Sequence, residues 1–180
     1  EWKKLDKMQP PVIYTPIKEG GRIFYQKRMP DEKVSKVYYR ESIQAPEELL
    51  FDPLTYIKGK TLSVEGLIPS YDGKKLLIGY AENGAEVQTI QVMDVDTKQF
   101  LPDVINATAG VMGWTFDNKA FMYMWIKSDD NTDPTSRLNP KTKLHTLGSE
   151  SNADIDLFSN ASYPALKMDA SIYPYVYLLK

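Results

Sequence analysis

Few side chains in this sequence can carry covalent or metal chemistry. The 180 residues include no cysteine and a single histidine, His145. The lack of thiols excludes disulfides, cysteine nucleophiles, cysteine-ligated zinc and iron–sulfur clusters. One histidine leaves one candidate base for a Ser-His-Asp triad and excludes a metal site built from several histidines. The G-x-S-x-G, G-x-x-x-x-G-K-[ST] and G-x-G-x-x-G patterns are also missing. We therefore predict no catalytic, cofactor-binding or metal-binding residue, and we interpret His145 as structural.

Three carboxylates lie close together in one polar segment. Asp129, Asp130 and Asp133 belong to residues 128–141, a stretch that also carries two prolines. Their spacing has a weak similarity to a calcium-binding loop, but the glycine at the sixth position and the glutamate at the twelfth are missing. We predict a long solvated loop here, with calcium binding as the alternative.

Other residues that could bind a ligand also have an ordinary structural interpretation. We interpret Trp114 and Trp125 as packing residues, with carbohydrate stacking as the alternative. Two glycosylation sequons matter only in a eukaryotic secretory setting, and a basic cluster near the start is interpreted as a solvated terminus. These features are Asn106-Ala107-Thr108, Asn160-Ala161-Ser162, and Lys3-Lys4 with Lys7.

The charge balance and the hydropathy exclude two classes of partner. The 22 basic and 24 acidic residues give a formal net charge of -2, whereas a dedicated nucleic-acid-binding domain is usually strongly basic. The sequence has no apolar run of about 18 residues that could form a membrane-spanning helix. Its first residues, Glu1-Trp2-Lys3-Lys4, do not look like a signal peptide. We therefore expect neither nucleic acid nor a membrane as a partner.

The pattern of residues predicts an all-β fold. Short runs rich in Val, Ile, Leu and Tyr alternate with turn residues, and helical periodicity is weak throughout. Pro53 interrupts the best helical stretch, Pro46–Tyr56, so we expect one turn there. The predicted strands are Val12–Thr15, Arg22–Lys27, Val34–Glu41, Glu48–Phe51, Leu62–Pro69, Lys75–Ala81, Glu86–Val95, Gly110–Thr115, Phe121–Lys127, Lys143–Leu147, Ile155–Phe158, Leu166–Asp169 and Tyr175–Leu179.

The predicted strands fall into repeated units. Asp72-Gly73-Lys74 precedes an apolar strand, and Asp117-Asn118-Lys119 does the same 45 residues later. Gly20-Gly21 occupies the matching place upstream, and Tyr175–Leu178 resembles a copy without the turn. Four strands in a unit of about 40–50 residues are typical of a β-propeller. A β-sandwich is the alternative, because it also has short strands and tight turns.

We therefore predict a partial β-propeller of about three to four four-stranded antiparallel blades. A segment of residues 1–19 leads into the propeller at 20–180, with blades at 20–58, 62–105 and 110–158 and an incomplete one at 163–180. Three and a half units do not close a ring, since propellers typically have about 4–8 blades. We expect the chain to be part of a larger molecule or to form a homodimer through exposed blade faces. Disorder in the first and last segments is the alternative to the dimer.

An ordered series of motifs between Glu65 and Trp125 points to a family. A Ser-x-Asp-Gly turn at Ser70–Gly73 comes first, followed by Asn83-Gly84, Thr89-Ile90, Asp94-Val95, Leu101–Val104 and Trp114–Asp117. This series resembles the propeller domain of the prolyl oligopeptidase family of serine peptidases. Gly21–Tyr25 is similar to the first blade of that family, and Leu144–Ser149 with Asp154 is similar to its His-x-Leu-Gly-Thr segment.

The match is not complete. The usual Gly-Ser-Asp is Gly84-Ala85-Glu86 here, the glycine of the third turn is Asn118, and Ser171–Pro174 has lost its Asp-Gly. These departures leave the expected fold unchanged and indicate a divergent member.

The resemblance implies a role without catalytic residues in this chain. In that family the catalytic residues lie in a separate C-terminal α/β-hydrolase domain, which would be the partner of this chain. The propeller covers the active site and admits only short peptides, which are cut after proline. The resemblance also implies a cytoplasmic or periplasmic location and a contact between residues 129–139 and the catalytic domain. The alternative is a stand-alone propeller-like module that binds another protein or a ligand.

Overall fold

The computed structural model describes residues 9–130 and 132–179, and the fold is all-β. In these residues eleven strands accompany one helical turn, α1 (Pro53–Tyr56), and two short 3-10 helices at Ser151–Ala153 and Pro164–Leu166. The strands are β1 (Val12–Glu19), β2 (Arg22–Arg28), β3 (Lys36–Arg40), β4 (Glu48–Phe51), β5 (Leu62–Pro69), β6 (Lys75–Glu82), β7 (Gln88–Asp94), β8 (Gln99–Trp114), β9 (Ala120–Trp125), β10 (Lys141–Thr146) and β11 (Ile155–Phe158). No helix in the described ranges is long and apolar enough to cross a membrane.

The strands pair with their sequence neighbours, all antiparallel. Strands β1 to β4 form one sheet, which we call blade 1, and β5 to β11 form a second sheet of seven strands. The second sheet consists of two blades that share β8. Residues 99–108 of β8 pair with β7 and complete blade 2, and residues 108–114 pair with β9 and begin blade 3. Thr108 lies opposite both Gln88 and Trp125, so the two blades meet at this residue.

Strand β8 folds back on itself at this junction. Ala107 has a φ of 52°, in the left-handed region, and Gly110 has a φ of 143°. The turn after β8 lies beside the turn after β5, because the backbone N–H of Tyr71 donates to Asn118 Oδ1 at 2.8 Å. A straight β8 would carry that turn to the opposite end of the sheet. The bend therefore lets the last strand of blade 2 continue as the first strand of blade 3.

The two repeated turns have the same internal hydrogen bonds. Ser70 Oγ donates to Asp72 Oδ1 at 2.6 Å, and the N–H of Lys75 donates back to Ser70 Oγ at 2.9 Å. In the turn 45 residues later, Thr115 Oγ1 donates to Asp117 Oδ1 at 2.6 Å. The Thr115 hydroxyl and the backbone N–H of Lys119 lower the pKa of the Asp117 carboxyl. Each hairpin thus closes through side chains of its own turn, which explains why the sequence repeat predicts it.

Blade 2 is buried on both faces. Alternate residues of β6 point to opposite sides, so its central residues are all buried. One side faces blade 1 in a core cluster comprising Phe24, Val37, Tyr39, Leu50, Phe51, Leu62, Leu67, Leu76, Ile78, Tyr80, Met93 and Val95. The other side faces blade 3 in a cluster comprising Leu77, Ile90, Val92, Ile105, Trp114, Phe121 and Tyr123. Blades 1, 2 and 3 therefore pack face to face.

The first sheet begins earlier than the sequence pattern indicates. We expected a strand that stops at Pro16, inside a lead-in segment of residues 1–19. Instead β1 runs to Glu19 and pairs with β2, with an irregular register between Tyr14 and Ile17. Because β1 is the edge strand of blade 1, the missing N–H of Pro16 breaks no essential ladder.

The last predicted unit has no strands in the described residues. Leu166–Asp169 and Tyr175–Leu179 were expected to be strands, but residues 159–179 contain only the 3-10 helix at Pro164–Leu166. This segment lies against the outer face of blade 3, near Met122, Leu144 and Phe158. An extended segment forms a strand only when another strand supplies its backbone partners, and none of the described strands lies beside it.

Candidate functional site

His145 is the centre of a buried polar network between blades 2 and 3. Its Nε2 lies 3.0 Å from Asp103 Oδ1, and its Nδ1 lies 2.7 Å from Asp154 Oδ1. Asp103 belongs to the part of β8 in blade 2, whereas β10 of blade 3 carries His145. Asp103 Oδ1 also accepts the backbone N–H of Gly148 at 2.5 Å, and Tyr123 donates its hydroxyl to Asp154 Oδ2 at 2.7 Å. The network therefore joins three strands and a loop across one blade interface.

The geometry of this network supports a structural role for His145. The His145 side chain is 1% exposed, and those of Asp103 and Asp154 are 3% and 0% exposed. Both ring nitrogens bond to carboxylates, so neither is free to take a proton from a hydroxyl nucleophile. Burial, followed by the bond to Asp154, raises the pKa of Tyr123 well above its usual value, so Tyr123 stays a hydrogen-bond donor. These groups bind one another across the two blades.

A tryptophan and a pair of turns complete the interface between blades 2 and 3, which we call seam 2/3. Trp114 is 2% exposed, and its indole N–H donates to the Ile68 carbonyl oxygen at 3.0 Å. Phe121 packs edge-on against the indole, with ring centroids 5.7 Å apart. Tyr71 and Asn118 link the two repeated turns at one end. Burial of the indole confirms the packing interpretation of Trp114 and opposes the carbohydrate alternative there.

The interface between blades 1 and 2, which we call seam 1/2, uses surface charge and close backbone contact. Arg22 donates to the Gly73 carbonyl oxygen at 3.1 Å, and its guanidinium lies 2.5 Å from Asp96 and 3.1 Å from Glu41. A methyl group on Gly20 would lie 2.1 Å from the Asp72 carbonyl oxygen, so the two turns touch through backbone atoms. The glycine turn of blade 1 therefore lies directly on the Asp-Gly turn of blade 2.

In residues 128–141, which we call the acidic loop, two carboxylates accept hydrogen bonds from threonines of the same loop. Asp130 Oδ1 accepts the N–H and the hydroxyl of Thr132 at 2.8 and 2.7 Å. Asp133 Oδ1 accepts the same two groups of Thr135 at 2.8 and 2.7 Å. Side-chain and backbone bonds from those threonines lower the pKa of both carboxyls. In residues 9–130 and 132–179, no group of three His, Cys, Asp or Glu side chains is arranged to hold a metal ion.

The remaining candidates are dispersed over the surface. Trp125 is half-buried, and the Lys141 and Lys143 ammonium groups lie 5.5 and 5.7 Å from its ring centroid. Asn106 of the first sequon is exposed, whereas Asn160 of the second donates to the Met168 carbonyl oxygen at 2.7 Å. Lys3, Lys4 and Lys7 lie outside the described residues.

Sequence reasoning did not single out Asp103 or the interblade role of Arg22. Asp103 stood within the Leu101–Val104 motif, but its partner His145 is 42 residues away. Only the packing of two blades brings these residues together. The lone histidine and the nearby Asp154 were the available signal for the network.

Three antiparallel four-stranded blades packed face to face define a partial β-propeller. The family model of the prolyl oligopeptidase N-terminal beta-propeller domain matches residues 4–172. This chain therefore belongs to the prolyl oligopeptidase N-terminal propeller family.

Similar proteins include peptidases much longer than this chain. Dipeptidyl aminopeptidase BI of Pseudoxanthomonas mexicana is 27% identical over 111 residues, which are 61% of this chain and 14% of that protein. A solved prolyl endopeptidase is 28% identical with a TM-score of 0.74, covering 87% of this chain and 24% of its own. Prolyl oligopeptidase B of Galerina marginata has a TM-score of 0.72 at 16% identity, over 89% of this chain and 26% of its own, and shares the fold. The chain spans about a quarter of both solved structures.

Proposed function

We propose that this chain is the non-catalytic propeller portion of a prolyl-oligopeptidase-type serine endopeptidase, and that it filters substrates by size. Its partner is a C-terminal α/β-hydrolase domain of the same polypeptide, and its substrates are short peptides cut after proline. The propeller acts by steric exclusion, because a folded protein cannot pass between packed blades.

The burial of blade 2 on both faces carries the size-filter proposal. Leu76 and Leu77 are consecutive residues of β6, both are 0% exposed, and they face blades 1 and 3 respectively. A wall packed on both sides has no gap for a folded domain. The similarity to a dipeptidyl aminopeptidase and to a prolyl endopeptidase supports the peptidase assignment, and the bonded state of His145 fits a chain that leaves catalysis to another domain.

The size filter is tested in the full-length polypeptide that contains this chain. We compare kcat/KM for a short proline peptide with kcat/KM for a folded protein that carries the same sequence in an exposed loop. The proposal predicts efficient cleavage of the peptide and none of the folded protein. Asp103→Ala should loosen seam 2/3 and raise the relative cleavage of a longer unstructured peptide, whereas exposed Gly21→Ala should not.

Two results would contradict this proposal. Equal cleavage of the peptide and the folded protein would eliminate size filtering. A reading frame without a G-x-S-x-G elbow after Lys180, together with no hydrolysis, would favour the stand-alone module.

The acidic loop is our proposed contact with the catalytic domain. The loop is anchored to the propeller, since the N–H of Lys127 donates to the Ser136 carbonyl oxygen at 3.1 Å and the N–H of Asn139 donates to the Ala170 carbonyl oxygen at 2.7 Å. Replacing residues 129–139 by a short glycine-serine linker should change the KM for longer peptides and leave kcat for the shortest peptide unchanged. An unchanged KM across peptide lengths would remove this contact from the proposal.

We also propose that the open ring forms a homodimer through its exposed blade faces. Tyr175 and Tyr177 at the end of the described chain are 56% and 70% exposed, which gives a second copy an apolar surface to cover. Sedimentation of the 180-residue chain should then show a concentration-dependent dimer that Tyr177→Lys weakens. A monomer at all concentrations would exclude it.

A further inference from the structure

Two half-open cavities share one lining residue at the end of blade 2 away from the repeated turns. The first, of about 470 Å³, opens at the rim beside Lys60, Glu82 and Asp129, and we call it the rim cavity. The second, of about 350 Å³, lies between β5 and β8 beside Gly66 and Met124, and we call it the inner cavity. Gln88 is the one described residue that lines both.

The side-chain amide of Gln88 lies in a slot made by glycines of three neighbouring strands. A methyl group on Gly79 would lie 2.6 Å from Gln88 Oε1, and one on Gly66 would lie 3.8 Å from it. A methyl group on Gly110 of β8 would lie 4.0 Å from Gln88 Nε2. The amide therefore fills a space that any larger residue at Gly79 would occupy, and it belongs to the one described side chain that both cavities share.

The closed position leaves one polar atom of Gln88 unsatisfied. Gln88 Oε1 is buried and accepts no hydrogen bond from any described protein group. A buried acceptor without a donor is unfavourable, and a glutamine side chain has three rotatable bonds by which it can leave. By contrast, the backbone of Gln88 is fixed, because its carbonyl oxygen accepts the Thr108 hydroxyl at 3.2 Å. Movement is thus confined to the side chain.

We propose that Gln88 is a movable plug in a lateral passage through seam 2/3. When its amide leaves the glycine slot, the rim cavity and the inner cavity join, and water and small solutes pass between blades 2 and 3. The passage favours neutral or cationic solutes, because its rim carries the Lys60–Glu82 ion pair, at 2.6 Å, together with the exposed Asp129 carboxylate. This inference concerns the propeller alone and does not depend on the peptidase proposal.

The test uses NMR on the 180-residue chain with a small neutral nitroxide radical in solution. The reporter is the Hα resonance of buried Gly79, which lies beneath the Gln88 amide, and buried Gly73 in the distant repeated turn is the internal control. Gln88→Ala removes the plug, whereas Gln88→Met keeps an unbranched side chain of similar length without the unsatisfied amide.

We expect relaxation of Gly79 by the radical to be weakest in Gln88→Met, intermediate in the parent chain and several-fold stronger in Gln88→Ala. Gly73 should respond equally in all three. Equal protection of Gly79 in parent and Gln88→Ala would overturn the passage, and equal relaxation in Gln88→Met and Gln88→Ala would overturn the plug.

In a second measurement, Gly79→Ala should displace the flexible amide and speed exchange of the Gln88 side-chain N–H groups with water. Unchanged exchange would also contradict the proposal.

Discussion

The two blade interfaces of this propeller fragment are built in different ways. Seam 2/3 has a strand common to both blades, a tryptophan at 2% exposure and a network around His145 that solvent hardly reaches. Seam 1/2 joins two separate sheets through a large apolar cluster, a backbone contact at Gly20 and the partly exposed ion pairs of Arg22. Both bury one face of blade 2, but the carboxylates around His145 and those around Arg22 differ in their access to water.

This difference shows how a repeated unit can be joined to its neighbours by unlike means. In the His145 network of seam 2/3 the polar groups are buried and bonded to one another, so losing any one of them is costly. At seam 1/2 the carboxylates that pair with Arg22 are near solvent, so water can replace a lost partner there. Blade alignment at seam 1/2 therefore depends more on the shape of two glycine turns than on charge.

The largest expected effect comes from removing the indole at seam 2/3. Trp114→Ala should lower the free energy of unfolding by about 3–5 kcal/mol, because it leaves a cavity in the core and removes the donor to the Ile68 carbonyl oxygen. Urea denaturation followed by circular dichroism measures the change. Trp125→Ala, at a half-buried position, is the matched control and should cost clearly less. Equal losses for both tryptophans would contradict the special position of Trp114.

The buried network should respond strongly to the loss of one carboxylate. Asp103→Ala leaves the His145 ring and the Gly148 N–H without their shared acceptor, and we expect a cost of about 3 kcal/mol. High salt should not rescue this variant, because the network is shielded from ions. If Asp103→Ala lowered the free energy of unfolding by less than Arg22→Ala in the same urea experiment, the comparison of the two seams would be reversed.

A pair of glycine variants tests the backbone contact at seam 1/2. Gly20 and Gly21 both have positive φ angles, so alanine is strained at either position. Only the methyl group at Gly20 meets backbone, at 2.1 Å from the Asp72 carbonyl oxygen, whereas the space at Gly21 is open. Gly20→Ala should therefore destabilise the chain by at least about 2 kcal/mol more than Gly21→Ala. Similar thermal unfolding of the two variants would show that the turns are not in contact.

The smallest effect is expected at the Arg22 ion pairs. Arg22→Ala should cost about 1 kcal/mol or less at low salt, because water solvates Asp96 and Glu41 once the guanidinium is gone. The difference from the parent chain should shrink as potassium chloride is raised. A difference that is independent of salt would indicate that Arg22 acts through packing on Tyr39, 5.6 Å from its guanidinium, and not through charge.

The sequence predicts those parts of the fold that local chemistry decides. The Ser70 and Thr115 turns close through residues within five positions of one another, so their repeat was visible and the blade pattern followed. The first half of β8 was missed because Pro102 lies inside it, and proline usually argues against a strand. Its outer position in blade 2 tolerates Pro102, since residues 99–107 pair on one side only.

The remaining features depend on contacts between distant residues. The reversal of β8 at Ala107 uses a left-handed conformation at a non-glycine residue, which the sequence does not signal. The Asp103–His145 pair and the approach of Gly20 to Asp72 each join residues more than 40 positions apart. Such pairs arise only when whole blades pack together. The sequence therefore did not reveal the network around His145, although it did indicate a structural role for that residue.

The arrangement of the three hairpin turns tests the face-to-face packing of the blades most directly. In the nuclear Overhauser spectrum of the 180-residue chain, we expect cross-peaks between the Tyr71 amide proton and the Asn118 side chain, and between Gly20 and Gly73 Hα protons. Both sets should appear together with the strand-pairing signals of β2–β3 and β6–β7. Intact strand pairing without either set of turn contacts would show that the sheets form but do not pack as propeller blades.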